Sequence, residues 1–149
     1  MYDDILLATD GSAGMEAVIE HVSDLAEQHG ATLHALYVVN TASLSNLPLE
    51  ASMDAVSQGL RDEGTVAMDE VERLVPDEVD LELVTEDGSP AREIVEYATR
   101  TGCDLVAMGT HGRSGVDRLL LGSVAERVLR RSPVPVLTIR VGQHPESEA

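Results

Sequence analysis

The stretch Leu105-Val106-Ala107-Met108-Gly109-Thr110-His111-Gly112-Arg113-Ser114-Gly115 joins a short apolar run to a glycine-rich segment that continues to Gly122-Ser123. Four consecutive apolar residues bounded by turn-forming ones read as a strand covered on both faces, the habit of parallel sheets. Helical spacing resumes after Ser123, with Val124 and Val128 on one stripe. The glycine segment therefore leads from the carboxyl end of a strand to the N-terminus of a helix, where open α/β sheets bind ligands.

Working outward, the same alternation recurs. Strands are predicted at 2–8, 32–39, 79–85, 104–108 and 134–139, separated by four amphipathic stretches, the pattern of a parallel sheet wound with helices. Met15, Val18, Val22 and Leu25 mark the first helix, closed by Gly30. Val56, Leu60, Ala67, Val71 and Leu74 mark the second and longest, with Pro76 beyond its end. Ser89-Pro90 opens the third as a cap followed by a first-turn proline, Ala91, Ile94 and Ala98 form its stripe, and Gly102 ends it. The fourth buries Val124 and Val128 and stops at Arg130-Arg131-Ser132-Pro133, its cations well placed at a helix C-terminus. Asn40 to Leu49 lacks periodicity and reads as an exposed excursion. One domain over residues 1–141 is expected, with a polar tail at 142–149.

Composition narrows the function. The 149 residues suffice to bury roughly two thirds of the unfolded surface without a metal or disulfide. Neither Phe nor Trp occurs, so the core is aliphatic and platforms for stacking bases are scarce. Against 27 acidic residues stand 10 basic ones, all Arg, for a formal charge of −17. Such a field repels nucleic-acid backbones and anionic membranes. The absence of Lys excludes a Walker-A loop, a Schiff-base lysine and a lysine general base. High acidity with ordinary apolar content suits concentrated salt, which screens self-repulsion, so a halophilic protein is expected. A single cysteine, Cys103, excludes an internal disulfide and any multi-cysteine metal site. No apolar run approaches the ~20 residues of a membrane span, so a cytoplasmic setting is expected.

Backbone N–H groups exposed by Gly109, Gly112 and Gly122, with the Ser123 hydroxyl, suit an anion such as phosphate. The alternative is a glycine loop that only turns the corner. At the end of the first strand, Thr9-Asp10-Gly11-Ser12 offers Asp10. It either caps the first helix, which spacing alone favours, or accepts hydrogen bonds from a ligand hydroxyl such as a ribose. His111 reads as a solvent-facing loop residue before a proton-transfer group, since no nucleophile adjoins it in sequence. Arg113 and Arg118 are better phosphate partners, as guanidinium pairs bidentately with oxyanions. Cys103, just before a buried strand, reads as a small core residue. His21, His29 and His34 lack metal-ligand spacing and read as surface or helix-end residues. No catalytic or metal-ligating set is assigned.

The loop Gly109-x2-Gly112-x9-Gly122-Ser123 resembles the G-x2-G-x9-G-[ST] nucleotide loop of the ATP-binding universal stress proteins. Ile5-Leu6-Leu7-Ala8-Thr9-Asp10-Gly11-Ser12, Cys103-Asp104-Leu105-Val106-Ala107-Met108-Gly109 and Ser132-Pro133-Val134-Pro135-Val136-Leu137 are similar to that family's phrases too. The resemblance spans nearly the whole chain. It implies an open Rossmann-like sheet of order 3-2-1-4-5, related to the adenine nucleotide alpha-hydrolases, with helices on both faces. It further implies ATP at the switch point, with Mg or Mn able to ride on its phosphates. Asp10 would lie on the ribose side, the backbone of Val38 would meet the adenine, and Gly109, Gly112, Gly122, Ser123 and Val124 would hold the phosphates. A homodimer through the final strand, at Val136, Leu137 and Ile139, fits both this likeness and an unprotected apolar edge.

A regulatory or stress-response protein whose nucleotide state controls assembly or partner choice is the leading expectation, with slow hydrolysis compatible. An ATP-consuming hydrolase or transferase on the same fold is the alternative, and it lacks an assignable base or transition-state cation. The S-G-G-x-D-S turn of the PP-loop synthetases is replaced here by Thr9-Asp10-Gly11-Ser12-Ala13-Gly14. A flavin carrier is disfavoured, because the glycine loop needs no flavin to explain it.

Overall fold

The computed structural model describes residues 1–42, 52–110 and 121–141, except for the side chains of 52–54. Nine elements alternate: β1 Asp4–Ala8, α1 Met15–His29, β2 Thr32–Asn40, α2 Ser52–Leu74, β3 Leu81–Gly88, α3 Pro90–Thr101, β4 Leu105–Gly109, α4 Ser123–Arg131 and β5 Val136–Ile139. The five strands form one parallel sheet of order β3-β2-β1-β4-β5. The winding thus reverses between β1 and β4, leaving a crevice beyond their carboxyl ends.

Two-residue periodicity divides the core. Ile5, Leu7, Leu33, Ala35, Tyr37, Leu105 and Ala107 face α1 and α2, where Val18, Ile19, Val22, Ala67 and Val71 meet them. Leu6, Leu36, Val106 and Met108 face the other way, against Ile94, Tyr97 and Ala98 of α3 and Ala125 and Val128 of α4. Helices cover both faces as right-handed crossovers require. Left-handed Gly30 and Gly102 end α1 and α3 as expected, with φ of 66° and 76°.

Several details differ from the sequence reading. β1 and β5 each start two residues later than expected, while β3 covers 81–88, not 79–85. β4 is buried on both faces, but every residue of β5 is only half-buried because β5 is an edge strand. Val56, expected on the inner stripe of α2, is 38% exposed, since the helix packs on β2 through its later turns at Gly64, Ala67 and Val71. Val124 is half-buried at the margin of the core, and Ala125 takes the inner position beside Val128. Asn40 completes β2 instead of opening an excursion, and residues 43–49 of that segment lie outside the described residues. The tail at 142–149 lies outside them as well.

Candidate functional site at the switch point

Three pieces of chain converge beyond β1 and β4. The first is the turn after β1. The buried Thr9 extends the sheet by one bond, its N–H donating to the Leu36 carbonyl at 3.0 Å. Its hydroxyl accepts from the Gly11 N–H at 3.2 Å, and Asp10 Oδ1 accepts from the Ser12 N–H at 2.9 Å. These local side-chain bonds hold a compact turn. Gly11 sits at φ +73°, and a β-carbon there would stand 3.3 Å from that of Ala67, so α2 closes against the turn.

Asp10 does not cap α1. That helix begins at Met15 with Gly14 as its cap residue, four residues beyond Asp10, which is occupied with its own turn. Its second oxygen takes no hydrogen bond among the described residues. Beside it opens a crevice of about 250 Å³ lined by Asp10, Gly11, Asp62, Glu63 and Val66. Three carboxylates repel phosphate from this side and favour hydroxyl donors.

The second piece is the exposed end of β2. Register with β1 ends at Leu36, whose carbonyl turns toward Thr9. Backbone groups alternate sides along a strand, so those of Val38 point the same way as those of Leu36, past the end of β1 and over the crevice. Val38 is paired with Glu86 in register on the β3 side and is half-buried.

The third piece is the base of the glycine segment. Gly109 is the last residue of β4, in register with Ile139. Thr110, a residue the sequence reading passed over, gathers the surrounding backbone. Its N–H donates to Ile139 O at 2.9 Å, its carbonyl accepts from Gly122 N–H at 2.7 Å, and its hydroxyl accepts from Val141 N–H at 3.3 Å. The two ends of the segment are therefore held together at one point. Its placement directly after a strand and before a polar loop is the signal that could have found it.

At the far end Gly122 is the cap residue of α4, with φ −65° and ψ 159° and no side chain to bond the helix N–H groups. Any L-residue adopts that conformation. Its carbonyl already accepts from Glu126 N–H at 3.0 Å, so the helix is started, while the first-turn donors have no capping side chain. Ser123 is exposed and Val124 half-buried beside it. Gly112, with His111, Arg113 and Arg118, lies outside the described residues. Among the described residues no cluster of His, Cys, Asp and Glu is arranged to hold a metal ion, and no helix is long and apolar enough to cross a membrane.

The remaining histidines and Cys103 lie elsewhere. His29 ends α1 and accepts from Tyr2 N–H at 3.1 Å, and His21 is exposed, both as expected. His34 corrects the sequence reading: it is buried in β2, because a strand covered on both faces has no solvent side for it. Cys103 is a buried core residue, and burial pushes its thiol above the usual range.

Comparison with known proteins agrees with this architecture. The family model described as the universal stress protein family matches residues 1–140. Universal stress protein MJ0531 of Methanocaldococcus jannaschii is 38% identical over 142 residues, covering 94% of this chain and 83% of the relative. The solved structure of protein MJ0577, from the same organism, superposes with a TM-score of 0.82 at 28% identity, over 97% of this chain and 99% of that one. A universal stress protein in complex with cAMP shares the fold, with a TM-score of 0.66 at 24% identity over 93% of this chain and 97% of that one. Matched from its first strand to its last, the chain belongs to the universal stress protein family.

Proposed function

We propose that the chain is an ATP-binding regulatory protein of the stress response, with the nucleotide lying across the β1–β4 switch point. The observation that carries this reading is Gly122: a glycine in a conformation that requires none, at a helix start with no capping side chain. What glycine contributes there is the absence of a side chain beside the helix N–H groups, which suits an incoming phosphate. The acidic crevice on the opposite side would receive the ribose, whose hydroxyls donate to Asp10. The backbone of Val38 would meet the adenine edge between them. Gly109, Gly112, Ser123 and Val124 would complete the phosphate cradle. The cAMP complex of a protein with this fold supports adenosine as the common part of the ligand. Mg or Mn would ride on the phosphates.

Assembly is part of the proposal. The edge strand β3 carries Glu82, Glu86 and Asp87, charges that discourage strand addition. β5 is the other edge, and Val136, Leu137, Thr138 and Ile139 carry none. A homodimer through β5 would cover them, and because Gly109 and Thr110 bond the same strand, nucleotide and dimer would be coupled. A cytoplasm rich in salt is the proposed setting.

The test is identification by mass spectrometry of the small molecule released when purified protein is denatured. ATP is expected. A flavin in its place would overturn the reading.

A further inference from the structure

At the amino edge of the sheet, remote from the switch point, a polar chain links the part-exposed Asp4 to the buried His34 and Tyr97. His34, third residue of β2, is 6% exposed and stands in register with Leu6 of β1 and Glu82 of β3. Its Nε2 lies 3.0 Å from Asp4 Oδ1, and its Nδ1 lies 2.9 Å from the Tyr97 hydroxyl of α3. In a neutral imidazole facing an ionised Asp4, Nε2 carries the hydrogen and donates it, so Nδ1 accepts from the Tyr97 O–H. Glu82 Oε1 waits 3.7 Å from the same Nδ1, too far for a bond.

Every neighbouring element adds a charged or titratable group. From α3, Arg100 lies over the Tyr97 ring at 5.4 Å and pairs with Glu86 of β3 at 3.3 Å. Ahead of β4, Cys103 is buried, and Asp104 accepts the N–H groups of Asp3 and Asp4 at 3.0 and 3.2 Å. Burial pushes the Tyr97 hydroxyl up, so it remains an O–H.

We propose that His34 is a proton-operated switch that moves its Nδ1 bond from Tyr97 on α3 to Glu82 on β3. When the ring takes up a proton, both nitrogens carry hydrogen, Nε2 keeps Asp4, and Nδ1 can no longer accept from Tyr97. The new N–H then faces a neutral hydroxyl oxygen and a carboxylate, and the Coulomb attraction between the imidazolium and the carboxylate favours Glu82. Glu82 is free to close the distance, since its side chain is 61% exposed on an edge strand. Acidification thus loosens a tie between sheet and α3 and adds one between β2 and the edge strand.

Nuclear magnetic resonance of the full chain at constant KCl tests this, following the His34 ring, the Tyr97 Cζ and the Glu82 carboxyl carbon through a pH titration. Tyr97 and Glu82 are expected to shift in step with His34 protonation. Tyr97→Phe should keep the Glu82 step, exposed Glu82→Gln should shrink the Tyr97 step, and His34→Gln should abolish both. Should His34→Gln fail to fold, the other two variants carry the test. Tyr97 and Glu82 resonances that stay fixed while His34 protonates would overturn the proposal, as would a His34 that stays neutral until the protein unfolds in acid.

Discussion

Gly64, midway along α2, lies against the Tyr37 ring so closely that a β-carbon on it would stand 2.7 Å from Cδ2 and 2.8 Å from Cε2. Tyr37 is 3% exposed and has no room to retreat. A helix interior ordinarily gains about 1 kcal/mol when Ala replaces Gly. Here overpacking, about 1–3 kcal/mol, opposes and outweighs that gain. Gly64→Ala is expected to lower the midpoint of chemical denaturation, and an unchanged or higher midpoint would refute the contact.

Asp10 separates two roles by stability and affinity. Because it does not cap α1, Asp10→Asn should leave the melting temperature unchanged, the amide oxygen still accepting from Ser12 N–H. Asp10→Ala removes that bond and should cost about 0.5–1.5 kcal/mol. Both should weaken ATP binding if the carboxylate faces the ribose. Affinity equal to wild type in both variants would return Asp10 to a purely structural role.

Much of this arrangement is legible in sequence, and the exceptions have physical reasons. The glycines at 30 and 102 locate the ends of α1 and α3, and Ser89-Pro90 the start of α3, because left-handed caps and first-turn prolines are local demands. The strand order is non-local, and it was legible only through the family likeness. His34 shows a signal left unread: in the run Leu33-His34-Ala35-Leu36 of a doubly covered strand, a polar residue has to be buried and partnered. Similarly, Met15 as the first buried residue of α1 places the cap at Gly14, too far from Asp10. The Tyr37 contact of Gly64 joins elements 27 residues apart, and no local pattern announces it.

Strand β5 should carry a homodimer. Light scattering at micromolar concentration in high salt is expected to give twice the monomer mass. Pro133 and Pro135 lack N–H groups, so pairing should concentrate from Val136 onward. Leu137→Glu or Ile139→Glu should shift the mass to that of a monomer. A wild-type monomer, or a dimer indifferent to both charges, would contradict the interface.

High salt should stabilise the fold. With a charge of −17 and only ten Arg to offset it, carboxylate repulsion is the term that screening relieves. The melting temperature is expected to climb between about 0.1 M and about 3 M KCl, as the Debye length falls from roughly 10 Å to under 3 Å. A flat profile would remove the halophilic reading.

Calorimetric titration of ATP into wild type and Gly122→Val tests the nucleotide site most directly. At φ −65° and ψ 159° valine fits the backbone, so the variant should fold with a nearly unchanged melting temperature. Its side chain would fill the space over the first N–H groups of α4. Ser123→Ala, run alongside, should lose only about 0.5–1.5 kcal/mol, more if its acceptor is a charged phosphate. Saturable heat in the wild type and none in folded Gly122→Val is the predicted result, while undiminished ATP affinity in Gly122→Val would contradict the nucleotide-binding account.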